Sequence, residues 1–180
     1  MEIFYITGNK GKFSEAKEIM PELEMLSLDL DEIQSLDPIE VVRKKADEAY
    51  KVTGINNLVV DDVSFYLEAL DYKLPGPLVK WFLVSIGSEG IFNIAKFYGK
   101  YKAKAICTLC YRNKKGKIKI FSGKVSGIIV KPSNNSFKSW DGIFKTKGKD
   151  LTFADMDLHG KNLISHRGIA VSKLKKYLSD

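Results

Sequence analysis

The stretch TGNKGK, residues 7–12, carries the ingredients of an anion site. A branched apolar run precedes it and an amphipathic segment follows, so it falls where a strand hands over to a helix. Backbone N–H groups are free at such a point, and the helix end carries partial positive charge. Glycine lets an anion approach the backbone closely, and Lys10 and Lys12 add full charges. The loop is not of the Walker type. Two residues rather than four separate Gly8 from Gly11, and Phe13 stands where a magnesium-binding hydroxyl belongs. A second stretch, VVDD at 59–62, ends an apolar strand in two acids. Adjacent strand residues point to opposite faces, so Asp61 and Asp62 should differ in role, one of them facing a cleft to handle a water or a metal.

Three further pieces are cationic or aromatic. Lys45 lies at the edge of an apolar helical stripe, where its stem can follow the core and its head reach into a cleft. Lys80 is the lone charge in PGPLVKWFL, an awkward place unless an anion meets it. KNLISHRG gathers Lys161, Ser165, His166 and Arg167 ahead of a helix, and SFKSWDG offers Phe137 and Trp140 as rings for stacking on a base. Each piece alone also fits a plainer role: a solvated turn, an aspartate cap, a snorkelling lysine, a serine cap, an aromatic anchored to the core.

The elements that must position these groups follow from periodicity. Residues 2–7 read as a strand, and 12–20 as a helix with Phe13, Ala16, Ile19 and Met20 on one face. Residues 23–30 can form a second strand. A long helix starts at Asp37-Pro38, buries Val42, Ala46, Ala49 and Tyr50, and stops at Gly54. NLVVDD is a buried strand and SFYLEAL reads as another. VKWFLVSIG reads as a buried helix, followed by a shorter one near 88–98. Residues 102–112 and 117–130 form a hairpin around 113–116. Residues 131–150 read as a loop, and the last helix spans about 169–178 with Ala170, Leu174, Tyr177 and Leu178 inward. The order predicts one α/β domain over residues 1–180, with a mixed sheet flanked by helices.

Composition narrows the function. The 180 residues are 44% hydrophobic, enough for a core, and no apolar run approaches a bilayer span. No secretory leader is expected at the N-terminus. The net charge is +7, yet the lysines are scattered and only Arg43, Arg112 and Arg167 could read guanine bidentately, which argues against a nucleic-acid partner. Cys107 and Cys110 have CxxC spacing on a strand; they point to opposite faces and suit a reducing cytoplasm.

Taken together, these pieces resemble the inosine triphosphate pyrophosphatases, which hydrolyse non-standard purine nucleoside triphosphates to the monophosphate and pyrophosphate. TGNKGK looks like the family's opening T-G-N-x-x-K. VVDD stands where the family has Glu-Asp-Thr. LPGPLVKWFL at 74–83 is closely similar to the eukaryotic and archaeal form, and SWDGIF, TFADM and SHRG complete the order. The resemblance implies an elongated mixed sheet in two lobes with a central cleft, a homodimer and Mg²⁺. It implies a triphosphate pocket of Thr7, Gly8, Asn9 and Lys12, with Lys45 and Lys80 reaching the phosphates. Asp62 and Lys12 would be catalytic, and Glu32 with Asp61 or Asp62 would hold the metal. Phe137, Trp140, Asp141, Lys161, His166 and Arg167 would bind the base. The departures are Asp61 and Val63 beside Asp62, Gly142 in place of proline, and Phe137 three residues before Trp140 instead of two. Rival readings are a pyrophosphatase for modified pyrimidine nucleotides and a non-enzymatic nucleotide- or RNA-binding module.

Overall fold

The computed structural model describes residues 2–28, 30–132 and 139–180. Its strands are β1 (Ile3–Ile6), β2 (Leu23–Leu26), β3 (Leu58–Leu67), β4 (Pro75–Gly76), β5 (Lys102–Arg112), β6 (Ile118–Ile129) and β7 (Phe144–Thr146). Its α-helices are α1 (Lys10–Ile19), α2 (Pro38–Thr53), α3 (Val79–Tyr98), α4 (Leu158–Ile164) and α5 (His166–Ser179). The strands join in one mixed sheet of order β2-β1-β3-β5-β6-β7, with β4 on the far end of β3. β1 is parallel to β2 and β3, as short βαβ crossovers require. From β3 onward the pairing is antiparallel.

Alternation along the strands sorts the core. Ile3, Tyr5, Val59, Cys107 and Leu109 face α1 and α5, where Ala16, Met20, Ala170, Val171 and Leu174 meet them. Ile6, Leu58, Val60 and Cys110 face α2 through Val42, Ala46 and Ala49. A third apolar cluster lies at the far end of β3, where Phe65 and Leu67 pack with Val79, Ile91, Trp140, Ile143, Phe144 and Phe153. The two cysteines are free, buried and on opposite faces, as strand geometry requires.

The caps follow the sequence signals. Asp37 accepts from the Ile39 N–H with Pro38 at the first helical position, and Gly54 closes α2 at φ 67°. Several expectations are corrected. The two strands expected from NLVVDD and SFYLEAL are one ten-residue strand, Leu58–Leu67, because β5 pairs with its whole length, and Glu68–Leu70 turns off as a short 3-10 helix. One expectation holds here: α3 is two helical stretches that meet at Gly87, where the sequence placed the break, and the φ of 66° at that residue is one that glycine adopts without strain. α3 is buried on one face only: Val79, Ile91 and Ala95 lie in the core, whereas Val84 is 73% and Phe97 83% exposed. Tyr50 and Tyr177 are also exposed, Tyr50 lying under the Arg112 guanidinium. The final helix starts three residues early, at His166, and within the expected loop of 131–150 lie a 3-10 turn at Trp140–Ile143 and strand β7.

Gly123 on β6 is where α5 touches the sheet. A Cβ there would stand 2.0 Å from the His166 carbonyl oxygen and 2.7 Å from the Ala170 nitrogen. Gly123→Ala is therefore expected to cost about 1–3 kcal/mol, read as a lower denaturation midpoint. It should also impair activity by lifting the end of α5 that carries His166 and Arg167.

Candidate active site

The carboxyl end of β1, the middle of β3 at Asp62 and Val63 (not its end, where the sequence had placed the two acids), the N-termini of α1, α3 and α5, Leu28, residues 30–35 and residues 139–141 surround a cleft of about 990 Å³. Openings at strand carboxyl ends are where open α/β sheets bind ligands. Thr7, Gly8, Asn9, Lys12, Glu32, Lys45, Asp62, Lys80, Trp140, Asp141, His166 and Arg167 all line it. Phe137 lies outside the described residues.

The loop TGNKGK is held by its own side chains. Thr7 Oγ1 accepts from the Asn9 N–H at 3.1 Å, and Asn9 Oδ1 caps α1 by accepting from the Lys12 N–H at 3.0 Å. No acid stands in the first turn of α1, so its positive end faces the cleft uncompensated. Lys12 Nζ lies 3.5 Å from Asp61 Oδ2.

Asp61 and Asp62 diverge as strand geometry demands. Asp61 lies on the α1/α5 side, 1% exposed, and its Oδ2 accepts from Arg167 Nη2 at 3.0 Å and Nε at 3.3 Å. Burial pushes its pKa up, but Lys12, Arg167 and Lys45 overcome that and hold it well below the usual carboxylate range. Asp62 lies on the α2 side and lines the cleft. Burial raises it to about 6, Lys12 opposing and Asp61 adding to the rise. Its Oδ2 is buried and has no hydrogen-bond partner.

Opposite Asp62, Lys45 forms an ion pair with Glu32 and donates to the Asp61 carbonyl oxygen at 3.4 Å. Burial drives the Lys45 pKa down and that of Glu32 up; Asp61 and Glu32 outweigh the first, and Lys45, with Lys12 and Lys80, the second. Lys80 is not the buried charge its apolar neighbours suggested. It sits exposed in the first turn of α3, 5.7 Å from the Trp81 ring centre, and its field reaches Glu32.

The other end of the cleft is aromatic. Trp140 is anchored: Phe65 stacks on it at 4.7 Å, and Phe144 and His166 meet it edge-on. His166 stacks on Phe153 at 5.9 Å and is 1% exposed, and neither ring nitrogen has a partner. Burial, then Arg167 and Lys161, hold its pKa well below the ordinary value, so the imidazole is neutral. It offers one donor and one acceptor.

Sequence reasoning missed Glu15. It is buried on α1, bridges Lys161 at 2.7 Å, and also pairs with Arg167. Lys161 in turn holds Asp141 at 2.6 Å. A chain of charges thus runs from Asp141 through Lys161, Glu15 and Arg167 to Asp61 and Lys12. The helical spacing of Glu15 from Lys12 was the available signal, since residues three apart share a face. Arg167, expected to frame a base, has three of its five N–H groups committed to Glu15 and Asp61.

The donors suit a hard cation. Glu32 and Asp62 line the cleft and offer carboxylate oxygens to it, whereas Asp61 is not part of its lining and its Oδ2 is engaged by Arg167 and Lys12. Among the described residues no cluster of three or more His, Cys, Asp or Glu gathers for a metal. Magnesium needs no such cluster; one or two carboxylates plus substrate phosphates suffice.

The chain is 41% identical over 182 residues to an inosine triphosphate pyrophosphatase of Podospora anserina, covering 99% of this chain and 94% of that one. It is 38% identical over 179 residues to the enzyme of the same name from Pyricularia oryzae, covering 97% and 92%. Solved Ham1 structures share the fold. That from Coxiella burnetii superposes with a TM-score of 0.82 at 23% identity over 99% of both chains, and that from Staphylococcus aureus with 0.75 at 23% over 98% of both. The Ham1 family profile matches residues 3–177, and the chain belongs to the Ham1 family.

Proposed function

We propose that this chain hydrolyses non-standard purine nucleoside triphosphates such as ITP, dITP and XTP to the monophosphate and pyrophosphate. The observation that carries the reading is one cleft with a polyphosphate end and a base end. Lys12, Lys45 and Lys80 converge on Asp62 and Glu32 at the first, and a neutral, unpartnered His166 stands in an aromatic wall at the second. The relatives named above carry inosine triphosphate pyrophosphatase in their names.

The lysines and the N-terminus of α1 hold the polyphosphate and balance charge as the α–β bond breaks. Asp62 orients the attacking water in line with the α-phosphorus and accepts its proton. A carboxylate with a pKa near 6 is a competent base at neutral pH. Mg²⁺, when bound, would be held by Glu32 and Asp62 and would neutralise phosphate charge. At the base end, His166 Nε2 or Nδ1 donates to a 6-oxo group. Adenine presents a donor there and leaves a buried group unpaired, at a cost of about 1–3 kcal/mol per contact.

The unit acts as one domain in the cytoplasm, where two buried free cysteines stay reduced. It works as a homodimer, which would cover the exposed Val84, Ile86, Phe97 and Tyr98 of α3. Sedimentation of the purified chain measures this. The activity test is product analysis with ITP and Mg²⁺: pyrophosphate should appear in step with IMP. Orthophosphate release, or preference for dTTP or UTP derivatives in the same assay, would refute the assignment.

A further inference from the structure

The segment from Leu30 to Leu36 carries Glu32 along one wall of the cleft without regular secondary structure. It buries little apolar surface of its own; Ile33 and Leu36 are exposed. Polar contacts therefore set its position. Ser35 Oγ donates to Glu40 at 2.6 Å and accepts from the Asp37 N–H at 3.1 Å, fixing the end next to α2. The middle is fixed by Gln34, whose Nε2 donates to the Glu32 carbonyl at 3.3 Å and whose Oε1 accepts from the indole N–H of Trp81. The indole nitrogen is donor-only, so the amide orientation is forced.

Trp81 belongs to the opposite wall. It stands in the first turn of α3, one residue after Lys80, and its ring carries the Lys80 ammonium 5.7 Å from its centre. Both Gln34 and Trp81 line the cleft. One amide thus connects the backbone at Glu32 to the ring beside Lys80, across 47 residues of sequence.

We propose that the Gln34–Trp81 hydrogen bond is a strap across the mouth of the cleft. It sets the separation between the Glu32 carboxylate and the Lys80 ammonium, which makes Gln34 and Trp81 positioning residues for the polyphosphate. Neither touches the reacting atoms. The inference rests on the reading of the cleft as a nucleoside triphosphate site.

Trp81→Phe keeps a ring under Lys80 but removes the donor, and Gln34→Leu keeps the volume but removes the acceptor. Each is expected to raise both the half-saturating Mg²⁺ concentration and the KM for ITP by about 3–10-fold. Because both act through one bond, the double variant should be no worse than the worse single one. Thermal midpoints should stay at the wild-type value, since both side chains are exposed. Unchanged KM and Mg²⁺ dependence in the single variants would overturn the strap, as would effects that multiply in the double variant or a kcat loss that tracks a lowered midpoint. A wild-type chain that releases no pyrophosphate from ITP would overturn the site reading itself.

Discussion

Asp62→Asn is expected to lower pyrophosphate release from ITP by about 10²–10⁴-fold, the usual contribution of a positioned general base. The fold should survive, and the sign of the pKa shift says why. Burial raises Asp62 to about 6, so the folded chain holds this proton more tightly than the unfolded chain. The stability tied to that proton is present below the unfolded value and is lost as pH rises through about 6. Asparagine mimics the protonated form. Above pH 6 the variant should therefore melt no earlier than wild type, and slightly later in the absence of metal. Activity runs the other way, because the base must be ionised. The wild-type kcat/KM should fall about tenfold per pH unit below an apparent pKa near 6, and Mg²⁺ should draw that limb to lower pH by favouring the carboxylate. A variant that turns over ITP normally, or a wild-type profile flat from pH 5 to 8, would remove Asp62 from the role.

Arg167→Met should be the most damaging change to stability, at about 3–5 kcal/mol near neutral pH. The guanidinium faces two buried carboxylates: Nη1 pairs with Glu15, and Nη2 and Nε engage Asp61. Methionine fills comparable space and leaves both charges without their main partner. Asp61 titrates far below its ordinary value, so the stability it contributes is present above the unfolded pKa of about 3.9 and is lost as pH falls toward the folded value. The gap between wild type and variant in urea denaturation should thus narrow in acid, where the carboxylates of the variant are neutral. Adding Asp61→Asn to Arg167→Met should recover part of the loss at pH 7. Equal midpoints for wild type and Arg167→Met would show that the network contributes little.

The sequence was informative where chemistry is local. TGNKGK read as an anion loop because strand, glycines, cap and lysines are consecutive, and the structure builds it with Asn9 as the cap. The opposite roles of Asp61 and Asp62 followed from strand alternation alone, and the structure places Arg167 behind one and the cleft before the other. The caps of α2 at Asp37 and Gly54 were equally legible.

Other features had no local signal. The apolar face of α3 suggested burial, yet Val84 and Phe97 project into solvent, because hydrophobicity does not say which surface will cover a helix. Lys80 looked trapped among apolar neighbours in sequence but sits at the rim, since the first turn of α3 turns it outward. Glu15 looked like one more acid on an amphipathic helix. Only the approach of α4 and α5, allowed by the missing side chain at Gly123, surrounds it with Lys161 and Arg167. What the chain alone determined was the inventory of phosphate-seeking and acidic groups and the elements that carry them, because capping, strand alternation and glycine turns act over a few residues. The tertiary structure decided which charges pair with one another and which are left facing the cleft, because partners such as Asp61 and Arg167 stand 106 residues apart and only packing of helix on sheet brings them within reach.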